Sequence, residues 1–423
     1  MKKVWKTLAC LTLSLCVSFS FSSCEEILDG LLSDLEDQIL SDLSDALDNS
    51  DSIGNSDNSD KPNNPNHSDS ASDSASDSSD STGGDMADIV TADLSIHFLE
   101  LGNKYTGDCT LIKTGDTEIL IDAGSRKNSA ETIVEYIGNY CTDGILEYVI
   151  ATHADQDHIA GFVGNAGKTT RTGVLYQYEV QNLIRFPLTN KEEYTEKGNL
   201  TVYGEFLQAV DTLETNGTNV YTALECWNNE NGAQRSYILS DGITMNFLYQ
   251  KFYEETTSDE NDYSVCMLLK NGNNSYLFTG DLETHGEASL VENNTLPKCV
   301  LYKGGHHGSP TSSTDTLLSV IQPEIVCVCC CCGSTEYTKN MANVFPSQAF
   351  VDRIAPYTDR IYVTTVVSDN EAGFTSMNGN IVVTTKNGEV SVQCSNNNLV
   401  FKDTEWFKEY RTMPTAWAQS TTD

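Results

Sequence analysis

The chain has 423 residues, with 25 basic against 61 acidic side chains and a net charge of −36. The first 93 residues carry 4 basic and 19 acidic groups, which leaves 21 and 42 for the remainder, so the part able to fold is itself acidic. Such a field repels nucleic-acid backbones and anionic lipid, and excludes binding of long nucleic acid through bulk charge. Any nucleic-acid role must rest on metal ions and local cations.

Lys2, Lys3 and Lys6 precede an apolar stretch over 8–21, which ends at Ser22-Ser23-Cys24. A basic start, a short apolar core and small residues before the cleavage point predict a secretory signal over 1–23. The apolar run is short for a membrane span. Cys24 after two serines resembles a bacterial lipobox, although Phe21 stands where Leu is usual. The likeness implies an exported protein at the bacterial cell surface, held to the membrane by a lipid on Cys24 alone.

Over 24–49, apolar residues recur at Ile27, Leu31, Leu35, Ile39, Leu43 and Leu47 opposite an acidic face, the period of an amphipathic helix. Residues 50–89 are rich in Ser, Asp and Asn and predict a disordered linker, since they hold too little apolar surface to order themselves. A folded domain over 90–395 and a short extension over 396–423 complete the expected organisation. Eleven of the 14 cysteines follow Cys24, an odd number that does not suit a full disulfide framework.

Within the domain, 94–101, 109–113 and 118–122 read as strands, 128–140 as a helix and 145–152 as a strand. That last run is apolar and β-branched until Ala151 and then meets His153, Asp155, Asp157 and His158 within six residues. A strand stopping in such a cluster sets several nitrogen and oxygen donors around one point, a set that suits Zn²⁺, Mn²⁺ or Fe²⁺. Residues 172–178 read as strand-like, 203–213 as a helix, and 236–239 and 243–249 as strands. No histidine occurs between Phe162 and Asp259, although the chain has seven. Strands over 261–269 and 276–281 follow, the second ending in Gly280-Asp281. Then come the His306-His307-Gly308-Ser309 stretch, a helix over 312–322 and a strand over 324–332. In that strand, Cys327 to Cys332 replace small hydrophobes. Segments 361–365 and 379–390 read as closing strands. His285 reads as a surface residue and His97 as a packed one.

The run His153-x-Asp155-x-Asp157-His158 resembles the second motif of the metallo-β-lactamase superfamily, with Asp155 where that motif has its second His. This form, with Thr106-Gly107-Asp108, Ile121-Asp122-Ala123-Gly124, Gly280-Asp281 and Lys303-Gly304-Gly305-His306-His307-Gly308-Ser309, is similar to the hydrolase domain of ComEC-type DNA-uptake proteins. The resemblance implies an α/β fold, a four-layer αββα sandwich, and one or two divalent ions, Zn²⁺ or Mn²⁺. It implies His153 and Asp155 at one ion, Asp157, His158 and His306 at the other, and Asp281 between them. Asp122 is then the carboxylate that orients a metal-bound imidazole, with Asp108 a neighbour of the site. His307 faces substrate or acts as an acid, or exchanges roles with His306. Lys303 and Ser309 become phosphate contacts, with Asp157 also steering the attacking hydroxide.

Two departures stand out. The histidine of the superfamily's third motif is missing, and Phe345 stands where the ComEC pattern has a histidine before Pro346. The activity implied is hydrolysis by a hydroxide held at the ions, on a phosphodiester or other phosphoester, nucleic acid included. Small phosphoesters fit the acidic charge better. Carboxylic esters, lactones or β-lactams on the same fold, and a non-catalytic binding lipoprotein with a structural metal, are the competing readings. No protein partner is evident.

Overall fold

The computed structural model describes residues 93–368 and 373–418. The expected signal, Cys24, helix and linker lie outside the described residues.

Two eight-stranded sheets form the body of the domain. The first takes β1 (Leu94–Phe98), β2 (Thr110–Thr114), β3 (Thr117–Ile121), β4 (Ile145–Ala151), β5 (Glu179–Arg185) and β6 (Asn219–Thr222). The second takes β7 (Ser236–Ser240), β8 (Ile243–Leu248), β9 (Cys266–Asn271), β10 (Asn274–Phe278), β11 (Leu301–Lys303), β12 (Ile325–Cys332), β13 (Ile361–Val367) and β14 (Phe374–Ser376). The chain then returns to the first sheet with β15 (Ile381–Lys386) and β16 (Glu389–Cys394), where β15 pairs antiparallel with β1. The orders are β16-β15-β1-β2-β3-β4-β5-β6 and β14-β13-β12-β11-β10-β9-β8-β7.

Each sheet passes from antiparallel hairpins to a parallel block. β3, β4, β5 and β6 run parallel in one, and β10, β11, β12 and β13 in the other. A parallel block requires crossovers, and helices Ser129–Ile137, Gln156–Val163 and Val202–Thr215 supply them for the first sheet. Helices Thr284–Asn293, Asp315–Ile321 and Gln348–Ile354 do so for the second. The result is a four-layer αββα sandwich.

Packing explains the unusual composition of β12. All eight of its residues are buried. Cys327 and Cys329 join the large core that includes β1 and β10, while Cys330 and Cys332 join a second core with Leu290, Leu317 and Phe350. A strand covered on both faces shows no alternation, and cysteine is a small hydrophobe in that setting. All eleven described cysteines are buried free thiols.

Three local readings change. The apolar 172–178 run is no strand: Val174–Gln177 is one helical turn, and the strand is the more polar Glu179–Arg185. Only alternate residues of that strand's first half are buried, so its place between β4 and β6 comes from its neighbours and not from hydrophobicity. The strand expected from residue 261 begins at Cys266, because Glu260–Tyr263 form a 3₁₀ turn that carries Glu260 inward. The segment after 395 joins the domain: Phe401, Phe407 and Trp417 enter the second core. Arg411 donates to the carbonyls of Met341, Val344 and Pro346 and so braces the loop bearing Phe345.

Candidate metal centre

Four strands end at one place. β3 and β4 of the first sheet and β10 and β11 of the second deliver Asp122, His153, Asp281 and the His306-His307 pair just beyond their carboxyl ends, where open α/β sheets hold their ligands. The helix Gln156–Val163 starts there, with Asp157 and His158 in its first turn. The loops approach so closely that a Cβ on Gly124 would sit 1.4 Å from the carbonyl oxygen of Asp157. Only glycine fits at that position.

Asp108, His158, Asp281 and His307 each offer one ligand atom, all within 4.8 Å of one another, and all four residues are buried. His158 Nε2 lies 3.0 Å and His307 Nε2 3.1 Å from Asp281 Oδ2. His307 Nε2 is also 3.4 Å from Asp157 Oδ2. The far sides of the rings are held. His158 Nδ1 is 2.8 Å from Asp122 Oδ2, and that carboxylate also accepts from the Thr152 amide and hydroxyl. His307 Nδ1 donates to the Cys329 carbonyl at 2.8 Å. A ring donating from Nδ1 keeps its Nε2 lone pair for the site, as a metal-binding imidazole must.

Burial and charge oppose each other at the site. Burial works against ionised carboxylates, yet His158, His307 and Lys303 around Asp281 hold its carboxyl well below the ordinary range. Asp108 and Asp157 are also lowered against burial, the first mainly by Lys303 and His307 and the second by His307 and His158. Burial alone would lower both imidazoles. The carboxylates instead raise His158 and His307 well above their usual value. Acidic oxygens are thus concentrated where protons and one ammonium must balance them. A divalent ion meets the same demand and displaces the ring protons. The buried ring nitrogens His153 Nε2 and His307 Nε2 have no hydrogen-bond partner among the described residues. The donors fit Zn²⁺ or Mn²⁺.

The structure sorts the sequence candidates. Asp108, expected as a neighbour, lies within the cluster, and Asp122 supports His158. His307 enters the cluster and His306 does not, the reverse of the order expected from the motif. Both have left-handed backbones, at φ 54° and 45°, which splay adjacent side chains apart, and His306 Nδ1 turns to Glu283 Oε1 at 3.0 Å. Lys303 does not reach outward for phosphate. It is buried against Asp108, Gly280 O at 3.1 Å and Asp281 Oδ1 at 3.2 Å. Ser309 meets Thr311 Oγ1 at 2.8 Å and organises its own loop. His153 and Asp155 stand together at 3.4 Å on the other side of His158, the His153 and His158 ring centroids being 4.1 Å apart. His97 packs against Tyr136 and Tyr140, and His285 is exposed.

Several residues at the site escaped the sequence reading. Tyr337 donates to Asp157 Oδ2 at 2.6 Å and packs beside Phe345, which the sequence singles out and which lies 5.6 Å from the ring centre of His306 and 6.0 Å from that of His307. Their loop is tied to the first half of the domain by Glu336, which pairs with Arg126 at 2.5 Å and accepts from the Thr106 amide. Lys191 pairs with Asp155 at 2.6 Å. None of these sits in a periodic or motif-like stretch.

No protein-family model matches the chain. Recombination protein 2 of Haemophilus influenzae is 27% identical over 224 residues, 52% of this chain and 23% of that protein. Competence protein ComA of Neisseria gonorrhoeae is 40% identical over 86 residues, 20% of this chain and 12% of that protein. The chain therefore spans a quarter or less of these relatives. Among solved structures, the metallo-β-lactamase fold protein YhfI of Bacillus subtilis aligns with a TM-score of 0.34 at 10% identity, over 64% of this chain and 96% of its own. The short form of human tRNase Z aligns at 0.31 and 12% identity, over 69% and 98%. Two facing eight-stranded sheets with helices outside them make the chain an αββα sandwich, similar in sequence to segments of Recombination protein 2 and Competence protein ComA.

Proposed function

We propose that the domain is a metal-dependent hydrolase of phosphoesters, phosphodiesters first, anchored outside the cell by a lipid on Cys24. The observation that carries this reading is the buried convergence of Asp108, His158, Asp281 and His307 at the strand ends. When bound, a divalent ion, Zn²⁺ or Mn²⁺, supplies Lewis acidity and a water of lowered pKa. Asp122 and the Cys329 carbonyl hold the two imidazoles in the required orientation. Asp157, beside His307 and hydrogen-bonded to Tyr337, accepts the proton of the attacking water. His306, oriented by Glu283 and about one-fifth exposed, gives a proton to the leaving oxygen. Phe345 covers both histidines and limits water at the reacting centre.

The acidic composition favours a small phosphoester over a long polymer. The names of the two curated relatives, a recombination and a competence protein, support a nucleic-acid substrate as the second reading. Among the described residues, no helix is long and apolar enough to cross a membrane.

The deciding experiment assays the metal-stripped protein, reloaded with Mn²⁺ or Zn²⁺, on a chromogenic phosphodiester beside Asp157→Ala. Turnover that needs the ion and vanishes in the variant is expected. Bound ions without turnover on any phosphoester would overturn the substrate class, and a protein that takes up no ion would overturn the reading altogether. A polymer substrate predicts activity that collapses with added salt.

A further inference from the structure

Of the candidate ligands outside the four-residue cluster, His153 and Asp155 form a pair of their own. His153 Nε2 and Asp155 Oδ2 lie 3.4 Å apart, and the other Asp155 oxygen meets Lys191 Nζ at 2.6 Å. The contact is built from the backbone outward. Lys191 sits in the loop that follows β5, and Glu260 holds that loop. Its Oε2 accepts from the Asn190 amide at 2.7 Å, and its Oε1 accepts from the Thr189 hydroxyl at 2.7 Å. The same Oε1 accepts from the amide of Ala154, the residue between His153 and Asp155, at 3.2 Å. One buried carboxylate therefore ties together the two backbones that carry Lys191 and Asp155. Tyr263 adds a further brace by donating to Asn190 Oδ1 at 3.2 Å. Glu260, with both oxygens engaged, is not free to act as a ligand, and no histidine occurs between Phe162 and Asp259 to complete a second set.

We infer that Lys191 stands in place of a second metal ion: the centre takes one divalent ion at the Asp108, His158, Asp281 and His307 cluster, and the Lys191 ammonium is the fixed positive charge on the His153–Asp155 side. The inference rests on the metal-hydrolase reading and specifies its stoichiometry. Lys303 also lies against two acids of the cluster, but two imidazoles and Asp157 remain there as donors. On the other side Lys191 neutralises Asp155, the one carboxylate of the pair, leaves His153 as its one remaining donor, and repels an ion that so small a set cannot hold. The ammonium has three donors and no empty orbital, so it cannot activate water as a metal does. It can bind an anionic oxygen, and with the side chain 43% exposed it is open to one arriving from solvent. Lys303 cannot serve in this way, because it is buried between Asp108 and Asp281.

The test is metal stoichiometry, read without catalysis. The full chain is stripped with chelator and titrated with Mn²⁺, with bound metal measured by elemental analysis and the spin state by electron paramagnetic resonance. One equivalent per chain and no Mn–Mn coupling are expected for the wild type. Lys191→His, which offers an imidazole at the same place, is expected to take two equivalents and to show coupling. Lys191→Gln, which removes the charge without adding an imidazole, is expected to take up a second equivalent at higher Mn²⁺ concentration. At one equivalent its KM for a phosphodiester rises about tenfold at little change in kcat, the order of one charged hydrogen bond. Two equivalents in the wild type would overturn the inference and leave the metal-hydrolase reading standing. One equivalent in Lys191→His would also overturn it, because the lysine would then not be what excludes the second ion. No bound metal in any form would overturn that reading and this inference together.

Discussion

The two flanks of the centre share one short motif, His153 to His158, and differ in what surrounds it. On the His158 flank, two imidazoles are buried, both rings are held from behind, and three carboxylates face inward. On the His153 flank there is one imidazole, one carboxylate with its side chain 24% exposed, and a lysine. His153 Nδ1 has only hydroxyls near it, Thr152 at 3.1 Å and Ser264 at 3.4 Å, where His158 has a carboxylate. Neighbouring positions in a sequence motif thus become unlike sites, because ligand strength depends on what lies behind each ring and what neutralises each acid.

The largest contrast is expected from truncating one histidine on each flank. His307→Ala removes an imidazole of the cluster; on the proposed function it should lose its bound metal, and kcat/KM should fall by about a thousandfold or more, the order of losing a principal catalytic element. His153→Ala should keep its metal, and elemental analysis of the two purified variants separates them. Equal loss of metal in both would erase the distinction between the flanks.

Lys303 tests the buried charge balance of the stronger flank. With its side chain 4% exposed between two carboxylates, Lys303→Met leaves those acids uncompensated. The metal-free protein should lose about 3–5 kcal/mol of stability in urea unfolding. Saturating Mn²⁺ should restore much of that loss, since the ion supplies the missing positive charge.

A smaller effect is expected from the residue behind His158. Asp122→Asn keeps the shape but weakens the partner of the ring, and metal affinity should drop about 10–100-fold by competition with a chelator. Full affinity in this variant would mean that the Asp122 carboxylate does not distinguish the flanks.

The smallest effect concerns a histidine outside both. Burial, aided by the charge of Lys113, lowers His97 from 6.5 to about 3. A depressed folded-state value means that His97 contributes stability above pH 6.5, where it is neutral in both states. That contribution is lost as pH falls from 6.5 through about 3. His97→Gln should flatten the stability profile over this window by up to about 1.4 kcal/mol per pH unit. An unchanged slope would mean that the acid sensitivity comes from the metal-site carboxylates and imidazoles instead.

Much of the centre was legible because its candidate residues, Asp108 apart, each belong to one strand and the turn after it. Ile119 to Asp122, Tyr148 to His158, Tyr276 to Asp281 and Val300 to His307 each show an apolar run ending in donors, a pattern held within about ten residues. The sandwich was legible for the same reason, since apolar strands interleaved with amphipathic helices require layers. The choice between His306 and His307 was not, because it turns on two left-handed residues and on a carbonyl from β12 that binds only one ring. Lys191 and Tyr337 were invisible: each lies in a loop without period, and each meets its partner across a long stretch of chain, 36 residues for Asp155 and 180 for Asp157. The polar strand Glu179–Arg185 was missed in the same way, its position decided by β4 and β6 on either side. The sequence by itself determined which side chains stand at the strand ends and so what chemistry is available. Only the tertiary structure decided which of them face one another, because burial and charge pairing act between segments that carry no mark of each other.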